Sequence, residues 1–390
     1  MINNLTAENY QNKEQALIKH YVLEKYLETL TAILSINNRH FEFTYIDCFA
    51  GPWQDDSVSI STTSIAISLQ VLKRCKEAVE ARGHTASIRA LFIEKDNTAY
   101  PRLKKYLSDN TPEGIETDSI HGDFVEVRSK ILTRIGIEGF AFFFIDPKGW
   151  TPVKVQTLTP LLQRPRSEFL INFMYDYVNR MVAMESLKLD AEQLLGESID
   201  FENIESNREL TILDTYRKNL KKNIPMGNSK FPVRSAYVKV LYPRKERTIY
   251  HLVYLTTHPK GVIKFMDVCE NSSLLQGEVR AKIREDKKKQ QTGMKDLFGD
   301  EAPFVDNSEN KNNEPNIDQY WLNYIKNTRT IQESDFADIL EDTNWFPREL
   351  QASLGRLIAS NKVINLDAKG LRRTRHLHFD VKGGERLKII

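Results

Sequence analysis

The fold is most clearly indicated by the segment Tyr45-Ile46-Asp47-Cys48-Phe49-Ala50-Gly51-Pro52-Trp53. An apolar run over 41–46 predicts a buried strand, which ends at an acid followed by a turn of small residues. Small residues let backbone N–H groups approach a ligand, because a larger side chain would block the way. A helix is expected to follow, and its N-terminus would favour anionic groups. The segment therefore predicts a nucleotide-type site at the end of a strand.

Three further apolar runs end in polar turns in the same way. The predicted strands over 88–93, 119–121 and 139–145 are followed by Glu94, Asp123 and Asp146. Helical segments separate the four strands, a fifth strand is predicted over 168–174, and a final hairpin over 235–242 and 249–256. The order predicts the α/β class, with a Rossmann-like, doubly wound sheet and an antiparallel final hairpin. In such sheets the carboxyl ends of the strands carry the ligand.

Each strand-end acid suits one part of a nucleoside-type ligand. Asp47, together with Ala50 and Gly51, is expected near an anionic or amino-acid moiety. Glu94 suits a ribose diol, because a carboxylate can accept hydrogen bonds from two hydroxyl groups. Asp123, which follows a glycine, suits an exocyclic adenine amine.

The fourth strand end is predicted to hold the reaction centre. Asp146 and Pro147 are expected to accept hydrogen bonds from a substrate amine, and Trp150 to stack on a planar base. His376 and His378 alternate along one predicted strand without a third ligand nearby, so no metal site is predicted.

Composition narrows the class of protein. With 41% hydrophobic and 28% charged residues and a net charge of +2, the chain reads as soluble and globular. No apolar run reaches the roughly 18 residues of a membrane-spanning helix, and no secretory signal is visible at the N-terminus. Three widely spaced cysteines indicate a reducing compartment. We therefore expect a cytoplasmic protein.

The pattern divides the 390 residues into three parts. Residues 1–283 are predicted to form the α/β domain, with an N-terminal helix over 13–36 and a helical insertion over 176–230. Residues 284–317 are polar and lack periodicity, which predicts a flexible linker. Residues 318–390 are predicted to form a winged-helix-like domain, in which three short helices precede a strand pair over 362–367 and 376–381.

The C-terminal strand pair is basic. Residues 361–390 carry eight Lys or Arg and three acids, a net charge of +5. Basic side chains around a wing suit phosphate contacts with DNA or RNA. The candidate nucleic-acid-binding residues are Lys369, Arg372, Arg373 and Arg375.

Two motifs resemble those of the class I S-adenosylmethionine-dependent methyltransferases. Asp-Cys-Phe-Ala-Gly at 47–51 is similar to the Asp-x-Phe-x-Gly turn of enzymes that methylate nucleic-acid amines, which places Phe49 among the candidate cofactor residues. Asp-Pro-Lys-Gly-Trp at 146–150 resembles a variant of their Asp-Pro-Pro-aromatic motif. The resemblance implies S-adenosylmethionine as cofactor and methyl transfer to a base amine.

A closer resemblance is to the three-Cys-motif partner (TcmP) family. It rests on Lys19-His20-Tyr21-Val22-Leu23, on the turn over 45–52, on 144–150, and on Thr257-His258-Pro259-Lys260-Gly261, and it covers roughly residues 10–280. It implies a methyltransferase-like protein that acts with a neighbouring, phage-related protein, which carries the three cysteines.

Two other classes stay open. Trp53 replaces the second glycine of the usual methyltransferase turn, and Lys148 replaces the second proline of the amine-binding motif. Both changes favour a non-catalytic adaptor that binds nucleic acid and a partner enzyme. A metal-dependent nuclease that uses Asp47 and Asp146 is a weaker reading, because the clustered acid and lysine signature of such enzymes is missing.

Overall fold

The computed structural model divides the chain into two compact units, Met1–Thr257 and His258–Ile390. The structure describes residues 7–10, 13–36, 39–51, 62–198, 207–225, 230–292, 308–368, 377–379 and 383–390, apart from the side chains of 7, 8, 185, 287–292 and 308–313.

The first unit is built on a seven-stranded sheet. Its strands are β1 (His40–Asp47), β2 (Thr85–Glu94), β3 (Ile115–His121), β4 (Phe140–Ile145), β5 (Ser167–Phe173), β6 (Arg234–Leu241) and β7 (Thr248–Thr256). The spatial order is β3-β2-β1-β4-β5-β7-β6. The first five strands are parallel, and β7 is antiparallel to both β5 and β6. The predicted doubly wound sheet with an antiparallel final hairpin is therefore confirmed.

Eight α-helices belong to the described part of this unit. They are α1 (Glu14–Ile36), α2 (Ser64–Glu80), α3 (Ala99–Asn110), α4 (Phe124–Ile135), α5 (Val155–Leu162), α6 (Tyr175–Val182), α7 (Lys188–Leu195) and α8 (Arg208–Lys222). Two helix starts near the sheet edge have side-chain caps, because Thr63 accepts from the Ala66 amide and Asp123 from the Val125 amide. The segment of the predicted N-terminal helix forms α1, and the described part of residues 176–230 is largely helical.

The central strands are apolar because both of their faces are covered. Every residue of β5 is buried, and β4 is buried from Ala141 to Ile145. On the face covered by α1, the Tyr26 ring packs 4.9 Å from Tyr254 and 5.8 Å from Phe142. The opposite face carries an apolar cluster, which includes residues of α4, α5, α7 and α8. This packing on both faces fixes the position at which each strand ends along the edge of the sheet.

The second unit combines helices with a small antiparallel sheet. Its elements are α9 (Pro259–Thr292), α10 (Ser308–Ile325), β8 (Thr328–Ile331), α11 (Glu333–Thr343), α12 (Pro347–Ala359), β9 (Val363–Asn365) and β10 (Glu385–Ile389). The sheet order is β8-β10-β9, with β10 antiparallel to both neighbours. The predicted winged-helix identity stays a prediction.

The domain boundaries differ from those predicted at 283/284 and 317/318. The second unit begins at His258, because α9 packs against α11 and α12. Residues 284–292 continue α9 and 308–317 lie in α10, while 293–307 of the predicted linker lie outside the described residues. The Lys- and Gln-rich end of α9 lacks an apolar stripe, but these residue types favour helix by intrinsic propensity.

The predicted strand over 376–381 is wrong for its described residues, 377–379. The backbone amides of His378 and Phe379 donate to the Glu385 carboxylate, at 2.6 and 2.9 Å, instead of to a neighbouring strand. The strand that pairs with β9 is β10, which starts after Gly383 and Gly384, both with positive φ. The sequence prediction also missed β8, whose four residues are too few to show alternation.

Within the described part of the chain, no helix is both long and apolar enough to cross a membrane.

Candidate cofactor and substrate site

Three of the predicted acids lie on one face of the sheet at its carboxyl edge. Asp47 pairs in register with Phe92 of β2 and with Phe144 of β4. Glu94 lies two residues further along β2, and Asp146 lies two residues beyond Phe144, directly after the end of β4. Side chains two residues apart in an extended chain point to the same face. The strand order reverses between β1 and β4, so Asp47 and Asp146 flank the switch point at which open α/β sheets bind ligands.

Asp47 is fully buried and holds the turn that follows it. Its Oδ1 accepts a hydrogen bond from the Phe49 amide at 3.1 Å, and its Oδ2 accepts one from Ser64 Oγ at 2.7 Å. Burial raises the pKa of Asp47 to about 6, although both hydrogen bonds act in the opposite direction. Asp47 therefore ties the turn to the first residue of α2.

The backbone amides of the turn donate hydrogen bonds to carbonyl groups of the chain itself. Cys48 donates to the Phe144 carbonyl at 3.0 Å, Ala50 to the Ile93 carbonyl at 2.8 Å, and Gly51 to the Phe49 carbonyl at 2.8 Å. This differs from the expectation that these N–H groups approach a ligand. The turn instead bridges the ends of β2 and β4, which sets Gly51 beside Glu94.

Glu94 is half-buried and faces the turn. Its Oε1 accepts a hydrogen bond from the Asp96 amide at 2.8 Å. An ideal Cβ built on Gly51 would lie 3.0 Å from Glu94 Oε2, a tight contact. Glycine therefore keeps space open beside this carboxylate.

Asp123 lies next to Glu94, because the Gly122 amide donates to the Glu94 carbonyl at 3.0 Å. One oxygen of Asp123 caps α4 by accepting from the Val125 amide at 2.9 Å. The other oxygen lies 3.7 Å from Lys95 Nζ, and the side chain is 42% exposed. The cap explains why an acid suits this position, and the outer oxygen stays accessible to a ligand.

Asp146 is held by two residues that the site prediction did not include. Lys19 Nζ of α1 forms an ion pair with Asp146 Oδ2, and Asn172 Nδ2 at the end of β5 donates to Asp146 Oδ1 at 2.6 Å. Lys19 belongs to a segment that carries the family resemblance, and Asn172 is the polar residue near the end of an apolar run. Neither of these sequence features predicts a contact with Asp146.

The imidazole next to Lys19 adds no charge to this cluster. His20 is buried, and its Nδ1 lies 2.9 Å from the Tyr10 hydroxyl. Burial, followed by the positive charge of Lys19, lowers the pKa of His20 to about 3. His20 is therefore neutral at pH 7.

The residues of the loop after Asp146 differ in how far they are buried and in what they contact. Pro147 is buried, Lys148 is exposed, and Gly149 has a φ of +109°. Trp150 packs partly against the apolar cluster, and Lys154 Nζ lies 4.9 Å from the centre of its ring. Because Lys154 also donates to Gln193 at 2.7 Å, it is anchored over one face of Trp150.

Two clefts on the described surface lie away from Asp47 and Asp146. One, of about 420 Å³, is lined by residues such as Thr44, Arg89 and Glu116, and the other, of about 470 Å³, by residues such as Tyr100 and His121. The first lies among mid-strand residues. The second lies beside the edge strand β3, where His121 stacks on Tyr100 with ring centres 4.6 Å apart.

Several predicted residues lie outside the described part of the chain. Trp53 is one of them, and so are the four candidate nucleic-acid-binding residues Lys369, Arg372, Arg373 and Arg375. Their roles stay predictions.

No protein-family model and no curated protein matches this chain. Similar solved structures include protein LPL1258 from Legionella pneumophila, at 12% identity over 65% of this chain and 90% of that one, with a TM-score of 0.36. Another is the precorrin-6y C5,15-methyltransferase from Geobacter metallireducens, at 8% identity over 59% and 87%, with a TM-score of 0.26. A third is a loganic acid methyltransferase with SAH, at 10% identity over 75% and 91%, with a TM-score of 0.30. All three TM-scores are below 0.5, so the assignment of the fold rests on the strand order of the chain itself.

Proposed function

We propose that this chain binds S-adenosylmethionine at the carboxyl edge of its seven-stranded sheet and transfers a methyl group to an exocyclic amine of a nucleic-acid base. The observation that carries the proposal is the convergence of Asp47, Glu94 and Asp146 on one face of the sheet, around the switch point between β1 and β4.

The residues present suit the groups of the cofactor. Gly51 leaves space beside Glu94, whose carboxylate can accept hydrogen bonds from ribose hydroxyls. The outer oxygen of Asp123 suits the adenine amine. Phe49 packs against Phe124, with ring centres 4.9 Å apart, and adds an apolar surface close to Asp123.

Methyl transfer to an amine depends mainly on how the amine is positioned against the methyl group. S-adenosylmethionine, when bound, supplies an electrophilic methyl group. Asp146 and the backbone near Pro147 would orient the lone pair of the substrate amine, and no strong base is needed because the amine can lose its proton after attack. Trp150 would stack on the base with the ring face that Lys154 does not cover. A base reaches such a site when it is flipped out or single-stranded.

The second unit would bind the nucleic acid. After α9, its order of helix, strand, two helices and two strands suits a winged helix, and residues 369–376 fall in sequence between β9 and β10. Lys369, Arg372, Arg373 and Arg375 would contact phosphates there. The family resemblance adds a three-Cys-motif protein as a candidate partner.

A non-catalytic adaptor is the second candidate function. The observation that favours it is that the residues of the predicted reaction centre already contact other residues of the chain. Both carboxylate oxygens of Asp146 are paired, and one face of Trp150 is covered by Lys154. An adaptor of this kind would bind cofactor and nucleic acid without turnover.

Calorimetric titration with S-adenosylmethionine, followed by a tritiated-methyl assay on mixed DNA and RNA, tests both candidates. Saturable binding with transfer supports the methyltransferase, and saturable binding without transfer supports the adaptor. Absence of binding at millimolar ligand would contradict the cofactor assignment.

A further inference from the structure

One buried acceptor at this edge of the sheet has no hydrogen-bond donor. Asn172 is 3% exposed, and its Nδ2 is used by Asp146. Its Oδ1 is buried and has no hydrogen-bond partner among the described residues. Most buried polar atoms in proteins are paired, and leaving one unpaired is unfavourable.

The orientation of this amide follows from its neighbour. Asp146 forms an ion pair with Lys19, so its carboxylate is ionised and can only accept hydrogen bonds. The Asn172 NH₂ group must therefore face Asp146, since the reverse orientation would set two acceptors against each other. The Asn172 carbonyl consequently points away from Asp146 and keeps a vacant lone pair.

Another buried asparagine shows the usual arrangement. Asn219 is 5% exposed, its Nδ2 donates to the Leu195 carbonyl at 2.8 Å, and its Oδ1 accepts from Lys222 Nζ at 2.9 Å. Both ends of that amide are satisfied. The two residues are thus matched in type and burial and differ in whether the oxygen is paired.

We propose that Asn172 Oδ1 accepts a hydrogen bond from an amino group of the bound ligand, with Lys19 and Asp146 as positioning residues. The inference rests on the proposed function and deepens it, because it assigns an N–H donor to one defined place beside Asp146. Two groups have this chemistry, namely the ammonium of the cofactor's methionine moiety and the exocyclic amine of the substrate base. Lys19 is the long, flexible member of the cluster, and its movement would admit the ligand.

The test compares Asn172→Leu with Asn219→Leu in the full chain. Leucine has a similar size and no acceptor. In the absence of ligand, both variants should lower the Tm by a few degrees, Asn219→Leu because it loses two hydrogen bonds and Asn172→Leu because it loses its bond to the Asp146 carboxylate. With S-adenosylmethionine as probe, Asn172→Leu should raise Kd at least tenfold if the cofactor's ammonium is the donor. If the substrate amine is the donor, Kd stays the same and KM for the nucleic acid rises at least tenfold.

A second variant separates the acceptor from the donor of the same amide. Asn172→Asp keeps the size of the side chain and presents a carboxyl oxygen in place of Oδ1. Its Kd and KM should therefore stay closer to the wild-type values than those of Asn172→Leu.

The inference is overturned if Asn172→Leu changes neither constant by more than twofold. A wild type that neither binds S-adenosylmethionine nor transfers methyl groups contradicts the proposed function instead. The inference, which rests on that function, falls with it, whereas a wild type that binds and transfers beside an equally active Asn172→Leu variant contradicts the inference alone.

Discussion

Lys19 forms an ion pair with Asp146 although 127 residues separate them in the chain. The two side chains are only 15% and 19% exposed, and they join the first helix to the end of β4. The N-terminal helix is therefore part of the candidate site as well as a cover for the sheet.

Replacing Lys19 with Met should lower the free energy of unfolding by about 2 kcal/mol, because Asp146 keeps its charge and loses its cation. This is less than the roughly 3–5 kcal/mol of a fully buried pair, since water still reaches both groups. Lys25→Met, on the same helix with a side chain that is 38% exposed, should cost under about 0.5 kcal/mol. Urea denaturation measures both, and equal losses would contradict a special role for Lys19.

Glu94→Ala should weaken S-adenosylmethionine binding by about 1–3 kcal/mol, the range for a lost hydrogen bond to a charged group. Glu116→Ala is the control, because Glu116 is exposed and lies near the start of β3. Calorimetry gives both affinities. An unchanged affinity in Glu94→Ala would remove this carboxylate from the cofactor site.

Gly51→Val should reduce cofactor affinity more than tenfold, because even a Cβ at this position comes within 3.0 Å of Glu94 Oε2. Gly277→Ala is the control, since a Cβ there meets nothing within 4 Å and the site lies inside α9. That change should leave affinity unaltered and raise stability by about 0.5–1 kcal/mol. Wild-type affinity in Gly51→Val would place the ligand elsewhere.

Stability should fall as the pH rises through the range in which Glu168 titrates. Burial raises the pKa of Glu168 to about 7, from 4.5 in an exposed residue, despite hydrogen bonds from Thr256 and Tyr26. Because the folded chain binds this proton more tightly than the unfolded chain, stability is fully present below pH 4.5 and is lost as the pH approaches and passes 7. Asp47 shifts in the same direction, with a pKa of about 6.

Glu168→Gln should remove this contribution. Between pH 5 and pH 8 the wild type should lose about 2–3 kcal/mol more stability than the variant, following about 1.4 kcal/mol for each pKa unit. The other groups titrate alike in both proteins, so the difference in slope isolates Glu168. Parallel pH profiles in urea denaturation would show that Glu168 stays ionised in the folded chain.

The triple change Arg372→Ala, Arg373→Ala, Arg375→Ala should weaken nucleic-acid binding and flatten its salt dependence, by about one unit of slope for each lost phosphate contact. The control removes the same charge from three exposed lysines of α2, α3 and α4, namely Lys73, Lys104 and Lys130. Fluorescence titrations at several salt concentrations give the slopes. Identical slopes in both triple variants would indicate that the basic segment serves a protein partner instead.

Much of the first unit was predictable because its strands are continuous apolar runs. The run over 139–145 predicts β4, and the strand is Phe140–Ile145. The second unit was harder to predict because its strands are three to five residues long, too short to show a period. The start of β10 depends on the Glu385 carboxylate taking the amides of His378 and Phe379, which no local pattern reveals.

For the candidate site, the sequence by itself determined which acids follow the strands, because an apolar run must end where the chain leaves the core. Asp47, Glu94 and Asp146 were identified on that ground alone. Only the tertiary structure decided what each carboxylate contacts. Asp146 meets Lys19 and Asn172 because α1 and β5 pack beside β4. Contacts between residues far apart in the chain depend on packing and register, which a local sequence pattern does not contain.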